Sequence, residues 1–234
     1  MKCSVCNTEI KANYCENCGQ QYTKKKLTFK SLLTDVMSSL TDVEKNVFLN
    51  IYQIISYPNK IINGYWNGFR GYYYKPGKML FYFVTIAGLS SLLLDSTIFG
   101  LTFSAQNTIS TELLFVILFF PILTLSNYIT YRKHKRTFIE HASATIYLIS
   151  SFGIVILIFQ NLFILLKLSD KQDGYWALIL TTLIIVWNSF LYTSSKKFLN
   201  LFFNIILEYF VLIVLILTLV GLSYLGGTVS INAD

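Results

Sequence analysis

Charge is scarce in this 234-residue chain: 13% of its residues are Asp, Glu, Lys or Arg, where a soluble domain carries about 25%. With 54% hydrophobic residues and a mean hydropathy of +0.54, too little polar surface is left to cover a water-soluble globule of this size. The opening Met1-Lys2-Cys3-Ser4-Val5-Cys6 lacks the apolar core of a secretory signal, so the N-terminus is expected to stay in the cytosol. Cysteine is absent after position 18. No nucleophile elbow, P-loop, dinucleotide fingerprint or H-E-x-x-H pair is present, which argues against the common membrane hydrolases and ATP-driven machines. Nor is an internal repeat evident, so the inverted-repeat pointer to a transport site is missing.

What the chain does have is long apolar runs. Five of them, near 77–94, 113–129, 142–166, 175–192 and 199–225, approach or exceed the ~20 residues that cross a hydrocarbon core. The reading is an all-α membrane protein of about five transmembrane helices, with four as the alternative count. If all five cross, residues 1–78, 131–141 and 193–199 share one side and hold 17 of the 19 Lys and Arg residues. Lys167 and Lys171 fall on the other, with Asp95, Glu112, Asp170, Asp173 and Asp234. That partition predicts a multi-pass protein of a cytoplasmic (bacterial inner) membrane, N-terminus inside and C-terminus outside. The net charge of +7 is thereby largely accounted for without nucleic acid. Pro121 within the second span predicts a kink.

Ahead of the membrane domain at 79–234, two segments differ in composition. Residues 1–22 carry Cys3, Cys6, Cys15 and Cys18, spaced C-x2-C-x8-C-x2-C. Each C-x2-C pair folds into a tight knuckle presenting two thiolates, and two knuckles complete a tetrahedron around a metal. Asn7 and Gly19 follow the second cysteine of each pair, where the turn calls for positive φ. In a reducing compartment such thiols read as metal ligands, here a zinc ribbon, with rubredoxin-like iron as the competing metal. A closed site of four thiolates has no position left for substrate. Its expected role is structural: metal binding supplies the folding energy that ~20 residues cannot draw from a core. Lys2 and Lys11 can offset its negative charge. Docking is then expected on the protein's own cytoplasmic helices or on a cytoplasmic protein partner.

Residues 23–78 begin with a basic hinge, Lys24, Lys25 and Lys26. Apolar positions from Phe29 to Ile55 then recur mostly at spacings of three and four, predicting one or two amphipathic helices that either lie on the membrane surface or pack on the membrane domain. Thr41 with Glu44 fits a capping box for the second of these, and Pro58 ends it or opens the next. The segment closes on Asn67-Gly68-Phe69-Arg70-Gly71-Tyr72-Tyr73-Tyr74-Lys75-Pro76-Gly77-Lys78. Its aromatics suit the headgroup layer, its cations suit anionic lipid, and Pro76 suits the first turn of a membrane helix. Alternatively, Arg70 and the tyrosines form a phosphate or headgroup site.

Gly68, Arg70, Tyr73 and Pro76 read as G-x-R-x-x-Y-x-x-P, and with the four cysteines ahead and Glu140-His141 opening a later helix, the chain resembles an uncharacterised bacterial membrane family with an N-terminal zinc ribbon. The resemblance covers most of the chain and implies an architecture, with no activity to carry over.

Polar residues inside spans are expensive and mark candidates for function: Asn127, Gln160, Asn161, Asn188, Asn204 and Glu208. The amides are expected mostly to hydrogen-bond between helices. Glu208 is placed either at the inner interface or in a buried ion site. Glu140 and His141 could relay a proton, although neighbours on a helix point about 100° apart and cannot grip one atom together. The leading functional expectation is a non-enzymatic membrane-anchored interaction or scaffold protein. A small-molecule or lipid transporter using Arg70, Glu140, His141 and Glu208 is the alternative, and a lipid-acting enzyme ranks third for want of a reactive centre.

Overall fold

Several helix starts follow from local chemistry. Thr28 and Ser31 cap each other reciprocally, Thr28 N–H to Ser31 Oγ at 3.0 Å and Ser31 N–H to Thr28 Oγ1 at 3.2 Å, and a helical turn begins there. Pro58 opens α2 (Pro58–Trp66) directly after α1 (Val47–Ser56), its missing N–H being one the first turn leaves unbonded anyway. Pro76 likewise opens α3 (Pro76–Leu94). A capping box at Thr137 and Glu140, with Thr137 N–H bonded to Glu140 Oε2 at 2.8 Å, starts α5 (Phe138–Leu165). This helix therefore begins four residues before the apolar run at 142, because the cap and not hydropathy sets its end.

The structure, a computed structural model, describes residues 1–10, 12–24, 26–32, 34, 47–94, 97–99, 111–168, 174–193 and 198–225. The Thr41–Glu44 capping box, Lys11 and Lys25 lie outside them. The fold is all-helical, completed by α4 (Thr111–Thr130), a 3-10 turn at Arg132–His134, α6 (Tyr175–Tyr192) and α7 (Phe198–Leu225). Among the described residues, four helices, α3, α5, α6 and α7, are long and apolar enough to cross a membrane. The remaining stretch, predicted as a fifth span, is the 20-residue α4, whose described apolar part is Ile117–Thr130. It runs as helix through Pro121.

α5 is the hub, packing most extensively against α3, α4 and α6 and also against α1 and α2, while α7 rests chiefly on α4 and α6. Of its apolar window 56% is buried, against 11% for α7, so α7 is the outer helix. Close approach of α3 to α5 depends on Gly153: a Cβ there would stand 2.7 Å from Phe83 Cε2. Tyr147 donates to the Tyr74 carbonyl at 2.7 Å, and Asn161 and Ser90 share hydrogen bonds of 2.7 and 2.9 Å. At that end Gln160 bonds both Phe99 N–H (3.2 Å) and the Thr97 carbonyl (2.9 Å), holding the loop where Phe99 stacks on Phe83. Asn161 thus serves as an interhelical hydrogen-bonder, as expected of an amide within a span, whereas Gln160 bonds a loop.

At the opposite end, α1 and α2 pack their apolar faces, including Ile51, Ile54, Ile61 and Ile62, into the common core. Of the two placements open for the amphipathic segment, its described helix α1 packs on the membrane domain, while Leu49 and Tyr52 remain exposed. Trp66 at the end of α2 donates from Nε1 to the Glu140 carbonyl (3.0 Å) and to Ser143 Oγ (3.1 Å), with the Arg136 guanidinium over its ring at 4.6 Å. The pre-membrane segment, the basic turn after α4 and the end of α6 therefore meet at one end of the bundle.

Candidate functional site

The cysteine module is built as two copies of one knuckle, twelve residues apart. Lys2 pairs with Glu9 across one and Tyr14 with Gln21 across the other, as isolated bridges. Cys3 N–H bonds the Thr8 carbonyl at 2.8 Å, matched by Cys15 N–H to the Gln20 carbonyl at 2.9 Å. Asn7 and Gly19 close the turns at φ of 60° and 69°, as the spacing requires. This short structural repeat is not evident in the sequence because only the cysteines and the two turn positions share their chemistry between the copies.

The four sulfurs converge, all within 4.8 Å of one another, and none is in a disulfide. Tetrahedral zinc with Zn–S of about 2.3 Å sets sulfurs about 3.8 Å apart, so the donor set fits a metal ion. Cys3 and Cys15 are buried, Cys6 and Cys18 half-buried. Hydrogen bonding with the Thr8 side chain and backbone lowers the Cys6 thiol to about 5, whereas burial raises Cys18 to about 12.

The module is keyed onto the G-x-R-x-x-Y-x-x-P loop. Tyr22 and Phe69 form a β-bridge with tilted rings 5.3 Å apart, flanked by Thr23 N–H to the Gly68 carbonyl and Arg70 N–H to the Gln21 carbonyl, each 3.0 Å. The glycines are explained by this contact. Gly68 has φ of +94° and a Cβ on it would lie 2.1 Å from the Thr23 carbonyl oxygen; one on Gly71 would lie 2.6 Å from Gln21 Cβ. Arg70 donates from Nε to the Tyr65 carbonyl at 3.4 Å and lies over the Tyr65 ring at 5.3 Å. Tyr73 is half-buried beside Tyr72 and near Cys18 and Cys3, and burial pushes its hydroxyl up.

A second constellation lies within the bundle. Glu140 is engaged by its capping box and by Arg136 at 3.3 Å, while His141 turns inward, so the adjacent pair does not act on one atom. His141 Nδ1 meets Asn127 Oδ1 at 2.9 Å, and its ring stacks on Tyr192 at 4.8 Å. Tyr192 stacks in turn on Tyr131 at 4.7 Å. Beyond Tyr131 is Glu208, fully buried, with Oε1 accepting from Asn188 Nδ2 at 2.7 Å and its backbone carbonyl accepting from Ser126 Oγ at 3.1 Å. Glu208 is thus buried between α4, α6 and α7. Asn204 bonds Thr193 Oγ1 at 2.8 Å and takes no part.

Six of these groups keep a buried polar atom without a hydrogen-bond partner: Asn127 Nδ2, Tyr131 Oη, His141 Nε2, Asn188 Oδ1, Tyr192 Oη and Glu208 Oε2. Such a concentration is unusual, since buried polar atoms are nearly always bonded. Tyr131 and Tyr192 were not among the sequence candidates. Sixteen tyrosines spread along the chain give no signal for which two enter the core.

Comparison with protein-family models, curated proteins and solved structures returns no match for this chain.

Proposed function

We propose that this is a membrane-anchored interaction or scaffold protein of a bacterial inner membrane, with the cysteine module a structural zinc ribbon on the cytoplasmic side. The observation carrying this reading is the backbone-to-backbone seam of residues 21–23 with 68–70, which couples the ribbon to the loop feeding α3. A module fastened in this way transmits what binds it to the bundle, whereas its closed donor set leaves no coordination site for chemistry. Beside the seam, an open cleft of about 620 Å³ lined by Met1, Ile10, Asn13, Tyr14, Gln21 and Lys24 offers a surface to a protein partner. Zinc is the metal proposed for the four-thiolate set, with iron, which takes the same donors, as the competitor. The resemblance carried by Gly68, Arg70, Tyr73 and Pro76 supports the bacterial membrane, and clustering of the basic segments at the ribbon end supports its facing the cytoplasm.

Elemental analysis of the detergent-purified protein tests the ribbon: one zinc per chain, lost on Cys15→Ser/Cys18→Ser, is expected, and iron overturns zinc. For the interaction, a photo-crosslinker at Tyr14 in intact membranes should trap a defined protein that the inserted double-serine variant no longer captures. Equal capture by both removes the ribbon's role.

A transporter is the second reading, favoured by the orphaned polar atoms between α4, α5, α6 and α7. In it the path narrows to His141 and Glu208, because Arg70 and Glu140 are engaged elsewhere. Substrate flux into proteoliposomes that is unchanged by His141→Ala and Glu208→Gln would dismiss it.

A further inference from the structure

We propose that Glu208 is an intramembrane proton-binding site, its carboxyl holding a proton that enters and leaves through Tyr131 and Tyr192 toward the ribbon end of the bundle. The inference holds whether or not the ribbon recruits a partner.

Glu208 sits eleven residues into α7 and is 0% exposed. Asn188 serves one oxygen; the other faces the Tyr131 hydroxyl without a well-formed hydrogen bond, and among the described residues no Lys, Arg or His forms an ion pair with it. A bare carboxylate so placed costs several kcal/mol of lost solvation, and such a group is stable only if paired or neutral. With no cation at hand, a proton on Oε2 cancels the charge and converts an orphaned acceptor into a donor.

The surroundings favour a proton over a metal cation. A hard cation needs a cage of oxygen acceptors. The unpartnered atoms here are mixed instead: an acceptor at Asn188 Oδ1, a donor at Asn127 Nδ2, and the Tyr131 and Tyr192 hydroxyls and His141 Nε2, which can do either. Groups able both to give and to take a hydrogen bond are what a proton relay needs. Tyr131 Oη lies beside the Glu208 carboxyl, and the Tyr192 hydroxyl lies near Tyr131 and Asn127, so the groups that could pass a proton are adjacent.

The titratable and charged groups around the site are few. Tyr131 follows α4 and His134 lies in the 3-10 turn, with its ring against both tyrosines at 6.2 and 6.1 Å. Tyr192 comes from α6 and His141 from α5, and the Arg136–Glu140 pair near the start of α5 lies toward Tyr192. Protonation forms one O–H bond at Glu208 Oε2 as one O–H bond of a hydronium ion breaks, and deprotonation returns the proton to water, so water is the only co-reactant.

The test is pH-difference infrared spectroscopy of the full-length protein in bilayers. A protonated-carboxyl band at neutral pH, shifted in heavy water, indifferent to sodium and lost in Glu208→Gln, is the expected result. Asn188→Leu should shift this band, because Oε1 loses its donor; that variant, with glutamate-selective isotope labelling of the wild type, carries the test if Glu208→Gln does not insert. No such band at neutral pH in the wild type, or a band that survives Glu208→Gln, overturns the proposal. A band that sodium suppresses in proportion to its concentration overturns it in favour of a cation site.

Discussion

A Cβ on Gly68 would stand 2.1 Å from the carbonyl oxygen of Thr23, a residue on the other side of the ribbon seam and 45 positions earlier in the chain. The contact makes the motif glycine part of the ribbon's landing surface. It also separates two kinds of glycine: Gly19 has φ of +69° but open space around its Cβ position.

Gly68→Ala should therefore open the seam while Gly19→Ala only strains a turn. The expected cost for Gly19→Ala is about 1–2 kcal/mol. Gly68→Ala adds a backbone clash, and should show as trypsin cleavage at Lys24 in the folded, inserted protein. Equal protection of the two variants would mean that the ribbon does not depend on this contact.

Metal removal should give the same phenotype. Ligand thiols must lose protons on binding, so zinc affinity should fall as pH falls, and chelators should act faster at lower pH. Proteolysis at Lys24 with and without chelator, at two pH values, reads both effects. Protection that is indifferent to chelator would show the seam to be independent of the metal.

Between α3 and α5 the prediction concerns packing. Gly153→Ala forces a methyl against Phe83 and should destabilise by about 1–3 kcal/mol, the usual cost of overpacking. Phe83→Leu in the same chain should recover part of this loss, so the double variant will be more stable than additivity predicts. Thermal unfolding in detergent provides the comparison, and strict additivity would place the two residues out of contact.

Trp66→Phe leaves an aromatic ring for Arg136 but removes the N–H that serves Glu140 and Ser143 together with part of a buried indole. A loss of about 1.5–3 kcal/mol is expected, the net worth of the hydrogen bond plus that of the space the smaller ring leaves. A larger loss, measured by the same unfolding assay, would mean that the indole fixes the start of α5.

The sequence alone determined whatever rests on local periodicity and spacing. Apolar runs placed the start of α3, the end of α4 and both ends of α6 to within two residues, because membrane length and backbone hydrogen bonding leave few alternatives. The C-x2-C pairs and their turn residues determined the four-sulfur cluster, since each knuckle closes within a few residues. The start of α5 was also legible, in the T-x-x-E of Thr137 and Glu140, but hydropathy pointed further along.

Only the tertiary structure decided the relations between distant segments. That Gly68 and Gly71 make room for the ribbon, that Glu140 is spent on a cap while His141 turns inward, and that Tyr131 and Tyr192 join His141 to Glu208 all depend on how helices rotate about their own axes as they pack. Helices apolar on most faces leave that rotation unmarked in the sequence. Close packing at glycines such as Gly153, and the burial of a few polar atoms, select it instead.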